Sequence, residues 1–316
     1  MIEWTKRNLL DLQSLSKEEI ELVLETAKSF KEVSERDVKK VPALRGKTIV
    51  SLFFEPSTRT RASFELAAKR LSADTLSFTP SASAVSKGES VLDTARNIEA
   101  TNVDLIVVRH SSSGVPKILA DNLKACVINA GDGCREHPTQ ALLDMFTMKE
   151  KLGRVDGLNV GIIGDILHSR VARSNICGLT KLGAHVTVCG PSTLIPIGVE
   201  ELGAKVNLNV NEVIKQSDVI MLLRLQLERQ HEKFLPSVKE YTRIFGLNKE
   251  KLKNAKKNVL IMHPGPTNRG VELSAEVADG EYSVILDQVT NGIAVRMAVL
   301  YLVSGAKEPV LQTIKG

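Results

Sequence analysis

The chain has 316 residues, 43% of them hydrophobic, which is enough for two domains with cores of their own. Its net charge of +5 comes from interspersed lysines, arginines and acids, which argues against a nucleic-acid or membrane-surface partner and suits small anionic substrates. No apolar run approaches membrane-spanning length, the first residues carry no apolar signal core, and Cys126, Cys134, Cys177 and Cys189 lack C-x-x-C spacing. A cytoplasmic protein with reduced, mostly buried thiols is expected, with neither a disulfide framework nor a zinc site.

Ser16-Lys17-Glu18-Glu19 is a capping box ahead of Ile20, Val23, Leu24 and Ala27, so a helix starts there. The apolar, β-branched run ending at Pro56 predicts a buried strand over 47–54. Phe64, Ala68 and Leu71, with Ala62 and Leu66, then predict a helix over 57–71. Residues 79–88, rich in Ser and Ala, read as a loop with Lys87 near its end, before a helix carrying Val91, Ala95 and Ile98. A strand at 104–108 delivers Arg109 and His110. Another at 126–129 delivers Gly131-Asp132-Gly133 and then His137-Pro138-Thr139-Gln140, with Pro138 in the first turn of a helix.

Residues 153–157 are polar and turn-like, and a second alternating series follows. Strands are expected at 160–165, 185–189, 218–223 and 258–262, and a helix over 169–182 closed by Gly183. The charged stretch 220–245 reads as a mobile loop. The last helix, 288–303, is apolar on most faces and therefore buried. Alternation in both halves predicts an α/β fold of two doubly wound parallel-sheet domains with helices on both faces. The expected domains are 1–150, with 288–316 packing back onto it, and 151–287.

Ligands of parallel sheets bind beyond the carboxyl ends of the strands. That rule gathers Ser57–Arg61, Arg109, His137, Gln140, Asp165–Arg170, Arg224, Gln226 and His263-Pro264-Gly265-Pro266. Hydroxyls, arginines, a histidine and an amide at a strand-to-helix junction suit a small oxyanion and a polarised carbonyl. No metal cage is expected, because His137 and His263 lack an acid or Cys at ligand spacing. Plainer readings stand beside these: Ser57 as an ordinary helix cap, Arg109 as a surface ion-pair residue, His137 as a cap, Lys87 as a solvated lysine. Arg224, ending a buried apolar strand, calls for an anion more strongly. Gly161-Ile162-Ile163-Gly164 invites a dinucleotide reading but lacks the third glycine, so no cofactor is expected.

Ser57-Thr58-Arg59-Thr60-Arg61 with Ser63-Phe64-Glu65 resembles the carbamoyl phosphate signature of the aspartate/ornithine carbamoyltransferase family. Val108-Arg109-His110, Asn129–Gln140, Gly164–Ser174, Arg224–Arg229 and Met262–Gly270 extend the resemblance over essentially the whole chain. It favours the aspartate-using branch, since the late His-Cys-Leu-Pro stretch expected of the ornithine branch is replaced by Met262-His263-Pro264-Gly265-Pro266. The resemblance implies transfer of a carbamoyl group from carbamoyl phosphate to the amine of L-aspartate, an early step of pyrimidine biosynthesis. It implies that Ser57, Thr58, Arg59, Thr60 and Arg109 hold the phosphate, and that Thr60, Arg109 and His137 hold the carbonyl oxygen. Gln140 with the Gly265–Pro266 backbone would hold the carbamoyl NH₂, and Arg170, Arg224 and Gln226 the aspartate carboxylates. It further implies a homotrimer with shared active sites, Ser83 and Lys87 reaching in from the neighbour and Lys87 serving catalysis and aspartate binding, and leaves room for a regulatory chain. Glu55 would pair with Arg170 and Arg229 on domain closure, and Gly265–Pro266 is a candidate cis peptide.

Overall fold

A computed structural model describes residues 3–78, 90–226 and 237–305. The chain divides into two compact units, Met1–Leu142 with Asn291–Gly316, and Leu143–Thr290.

The first unit opens with α1 (Lys17–Glu35), whose Ser16 cap accepts from the Glu19 N–H while Glu19 returns the bond, as the capping box requires. There follow β1 (Thr48–Phe53), α2 (Thr58–Arg70), β2 (Asp74–Phe78), α3 (Val91–Glu99), β3 (Leu105–His110), α4 (Val115–Asn122) and β4 (Cys126–Asp132). The strands are parallel in the order β2-β1-β3-β4. The two central strands carry Val50, Leu52, Ile106 and Val108 into a core shared with Ala95, Leu119 and Val127. Side chains buried on both faces explain why these strands read as continuous apolar runs. The edge strand β2 is mostly exposed, so it carries no such run and escapes a search for one.

The helix α5 (Pro138–Leu152) leads into the second unit, and α11 (Ile285–Val303) leads back. In the second unit β5 (Asn159–Ile163), α6 (Arg170–Lys181), β6 (His185–Cys189), β7 (Lys205–Val206), α7 (Val210–Gln216), β8 (Val219–Leu222), α8 (Val238–Phe245), α9 (Lys249–Leu252), β9 (Leu260–Met262) and α10 (Ala275–Ala278) follow in sequence. The sheet is again parallel, in the order β7-β6-β5-β8-β9. Crossovers running both ways from a central strand make the doubly wound α/β arrangement, since the right-handed rule for such connections then puts helices on opposite faces.

Two expectations need correction. The stretch 220–245 is not one loop: its first residues end β8, residues 227–236 lie outside the described residues, and 238–245 is α8. Ser237 caps α8 by accepting the Glu240 N–H, and Tyr241 and Phe245, one turn apart, are buried. The thiols are free, but Cys189 alone is buried, and Cys126, Cys134 and Cys177 are half-buried.

Gly161 and Gly164 have packing reasons of their own. A Cβ on Gly161 would meet the Ser217 Oγ at 2.6 Å and the Val213 Cγ1 at 2.7 Å, so the glycine lets α7 close onto β5. Gly164 has φ +136° and lies under the Leu223 carbonyl.

Candidate active site

In each unit the strand order reverses at one place, and several of the sequence-predicted residues lie beside it: Ser57–Thr60 and Arg109 in the first, Arg170, Arg224 and Gln226 in the second. In the first, β1 leads by way of α2 to β2 on one side, while β3 flanks β1 on the other and leads to β4. The crevice beyond the carboxyl ends of β1 and β3 is therefore the switch point of this sheet. Phe53, at the end of β1, is in register with Arg109 on β3, so the turn Phe54–Ser57 and the Arg109 side chain leave the sheet side by side.

Ser57 occupies the cap position of α2 but makes no side-chain cap bond, unlike Ser16, Ser90 and Ser169 on α1, α3 and α6. The amide groups of the first helical turn are thus left for another acceptor. Thr58 and Arg59 are exposed, Thr60 is buried, and all three belong to the opening turn of α2.

Arg109 is held in place. Its Nη2 donates to Glu55 Oε1 at 2.8 Å and its Nη1 to the Ala130 carbonyl at 3.2 Å, which ties the guanidinium to the turn after β1 and to the backbone of β4. Glu55 is engaged by an arginine of its own unit, and Arg229 lies outside the described residues. The His110 ring packs tilted against Phe54, centroids 5.1 Å apart, and accepts the Ser112 N–H at its Nδ1, and burial pushes its pKa down.

The loop after β4 is fixed by buried Asp132, whose carboxylate accepts from the Gly114 and Glu136 backbone N–H groups and from Asn129 Nδ2. That loop delivers His137 and Gln140, both buried, to the first turn of α5.

The second unit repeats the plan. Its switch point lies between β5, which leads to β6, and β8 on the other side. Beyond β5, Asp165 is fully buried: its carboxylate accepts the His168 N–H, lies 2.9 Å from His168 Nδ1, and takes the Gln226 N–H at 3.4 Å. This one carboxylate joins the loop after β5 to the segment after β8. Arg170, buried, opens α6 behind its Ser169 cap, and Arg224 and Gln226, half-buried, follow β8. Beyond the edge strand β9, the Gly265–Pro266 peptide is cis, as the resemblance led us to expect, and Gly265 has φ +66°. His263 Nδ1 accepts the Gly265 N–H at 2.8 Å.

His263 does have an acid partner. Glu272 Oε1, nine residues on, lies 3.2 Å from its Nε2, a close contact without good hydrogen-bond alignment. Chain spacing hid it because the turn doubles back. Among the described residues no group of three or more His, Cys, Asp or Glu side chains is placed to hold a metal ion. Ser83 and Lys87 lie outside the described residues.

Models of this family's two domains match almost the whole chain: "Aspartate/ornithine carbamoyltransferase, carbamoyl-P binding domain" over residues 7–150, and the Asp/Orn binding domain over 156–303. The aspartate carbamoyltransferase catalytic subunit of Syntrophus aciditrophicus is 58% identical over 305 residues, covering 96% of this chain and 99% of that protein. The aspartate transcarbamoylase of Trypanosoma cruzi, solved with carbamoyl phosphate and aspartate, superposes with a TM-score of 0.86 at 28% identity, covering 94% of this chain and 97% of that one. The ornithine carbamoyltransferase of Pyrococcus furiosus gives a TM-score of 0.85 at 33% identity over 98% of this chain and all of its own. Likeness in both units, in sequence as in fold, makes this chain a member of the aspartate/ornithine carbamoyltransferase family.

Proposed function

We propose that the chain transfers the carbamoyl group of carbamoyl phosphate to the amine of L-aspartate, giving N-carbamoyl-L-aspartate and phosphate for pyrimidine synthesis. One observation carries the reading: a turn of hydroxyls and an arginine, Ser57–Thr60, opens an uncapped helix beside Arg109 at a sheet switch point. Such an array favours a multiply charged oxyanion. The name of the 58%-identical relative, an aspartate carbamoyltransferase catalytic subunit, supports aspartate over ornithine as acceptor, as do the two cations Arg170 and Arg224 in the second unit.

In this reading Ser57, Thr58, Arg59 and Thr60 bind the phosphate, and Arg109 bridges it to the carbonyl oxygen. Thr60 and His137 donate to that oxygen as it becomes negative in the tetrahedral intermediate, and one such donor contributes about 3–4 kcal/mol at the barrier. Gln140 and the Gly265–Pro266 backbone hold the carbamoyl NH₂. Arg170, Arg224 and Gln226 take the aspartate carboxylates. The neutral amine is already a nucleophile, so orientation and charge stabilisation suffice and no covalent enzyme intermediate forms. The departing phosphate accepts the amine proton.

The first unit thus serves the donor's phosphate and carbonyl, the second the acceptor, and both the carbamoyl NH₂. The working form is a cytoplasmic homotrimer in which Ser83 and Lys87 complete a neighbour's site, and a regulatory chain is compatible with it. The free thiols agree with a reducing compartment. Phosphate release from carbamoyl phosphate, measured with aspartate and then with ornithine, tests the reading. Release is expected with aspartate alone, and a preference for ornithine would overturn it.

A further inference from the structure

Beneath the turn after β9 runs a chain of buried polar groups that the reaction itself does not use. Asp144 on α5, Asn175 on α6, Gln288 on α11, His263 and Glu272 are all almost fully enclosed. Asn175 Nδ2 donates to Asp144 Oδ2 at 2.8 Å, and Gln288 Nε2 donates to Asp144 Oδ1 at 2.8 Å. Gln288 Oε1 accepts the His263 backbone N–H at 3.0 Å. Because His263 Nδ1 accepts the Gly265 N–H, the neutral ring carries its proton on Nε2, facing Glu272. Glu272 Oε1 also accepts the Asn268 N–H at 2.5 Å.

Burying five polar side chains is a poor way to stabilise a core, since apolar groups of the same shape do as well or better. What these groups have in common is their target. Three backbone amides of this turn, those of His263, Gly265 and Asn268, are each fixed by a buried side chain, and they bracket Pro266, which has no amide hydrogen of its own. We propose that Asp144, Gln288, His263 and Glu272 are positioning residues that aim the Gly265–Pro266 backbone at the carbamoyl NH₂, a role that rests on the carbamoyl-transfer reading above. Asp144 orients the Gln288 amide, Gln288 anchors the start of the turn, and Glu272 anchors its end through the Asn268 N–H while lying beside His263 Nε2.

The test is steady-state kinetics of Gln288→Met, which keeps the volume and removes both hydrogen bonds, alongside its melting temperature and its affinity for inorganic phosphate. A turn displaced by a fraction of an ångström should lower kcat roughly 10–100-fold, with phosphate affinity unchanged because that ion is assigned to the first unit. Glu272→Gln, which retains an acceptor toward Asn268 and His263, should recover most of the rate lost in Glu272→Leu. If Gln288→Met does not fold, Gln288→Glu takes its place: it keeps the acceptor for His263 but sets a carboxylate against Asp144, and kcat should again fall. A folded variant with native kcat and only a lowered melting temperature overturns the proposal. A native enzyme that carbamoylates aspartate while Gln288→Met matches its kcat sinks this inference alone, whereas a native enzyme inert toward aspartate sinks both readings.

Discussion

Arg224 follows four buried strand residues, and Leu223 and Leu225 on either side of it are themselves buried. A guanidinium placed there is worth its desolvation only if it meets an anion. Assigned to an aspartate carboxylate, it should when changed in Arg224→Ala raise the aspartate KM far more than the carbamoyl phosphate KM. Equal effects on the two substrates in steady-state assays would contradict the assignment. Residues of this kind were legible in the sequence because a cation or hydroxyl at the end of an apolar strand stands out. The groups that position them were not. Glu55 holding Arg109, Glu272 behind His263 and Asp144 under Gln288 are side chains whose partners are brought near by folding, at separations of 54, 9 and 144 residues. No local pattern marks them.

At the scale of elements, both sheets start their central strand in the same way. Asp104, just before β3, accepts the Thr48 N–H at the head of β1 and pairs with Lys47 at 2.7 Å. Asp218, just before β8, accepts the Asn159 N–H at the head of β5 and pairs with Lys256 at 2.6 Å. Burial raises each carboxyl, but the lysine and backbone bonds outweigh it and hold both below their ordinary value. A depressed native pKa contributes stability that is present above the unfolded value of about 4 and lost as pH falls through the native one. Urea unfolding of an Asp104→Asn, Asp218→Asn variant should therefore show lower stability at neutral pH and a flatter decline toward pH 3 than the native chain, and an unchanged acid limb would show that these pairs contribute nothing.

Elements were read from the sequence in proportion to their burial. The strands β1, β3, β5 and β8 announce themselves by nearly continuous apolar runs, and α1 and α6 by caps that the structure contains. The exposed edge strand β2, the two-residue β7 and the short helix α8 amid charged residues left weaker marks. Helix α8 reads as loop in the sequence because its buried apolar face is little more than Tyr241 and Phe245.

For the whole molecule, the two units present the same device twice: a parallel sheet whose order reverses beside a central strand, with cationic and hydroxyl side chains at the reversal. Doubly wound alternation was readable from periodicity, whereas the sharing of sites among copies came only through family resemblance. If Lys87 does complete a neighbour's site, Lys87→Ala and His137→Ala should each be nearly inactive alone. Dissociated, mixed and reassembled, they should regain activity, because some sites in a mixed trimer would carry neither change. Mixtures no more active than the separate variants would refute sharing.

The central claim is that the Ser57–Thr60 turn and Arg109 receive the phosphate of a carbamoyl donor while Arg170 and Arg224 receive an acidic acceptor. A crystal structure with N-(phosphonacetyl)-L-aspartate, which joins the two partners in one molecule, tests it most directly. The phosphonate is predicted at the opening turn of α2 within hydrogen-bond reach of Arg109, with the carboxylates on Arg170 and Arg224. A phosphonate bound away from residues 57–60 would contradict the account.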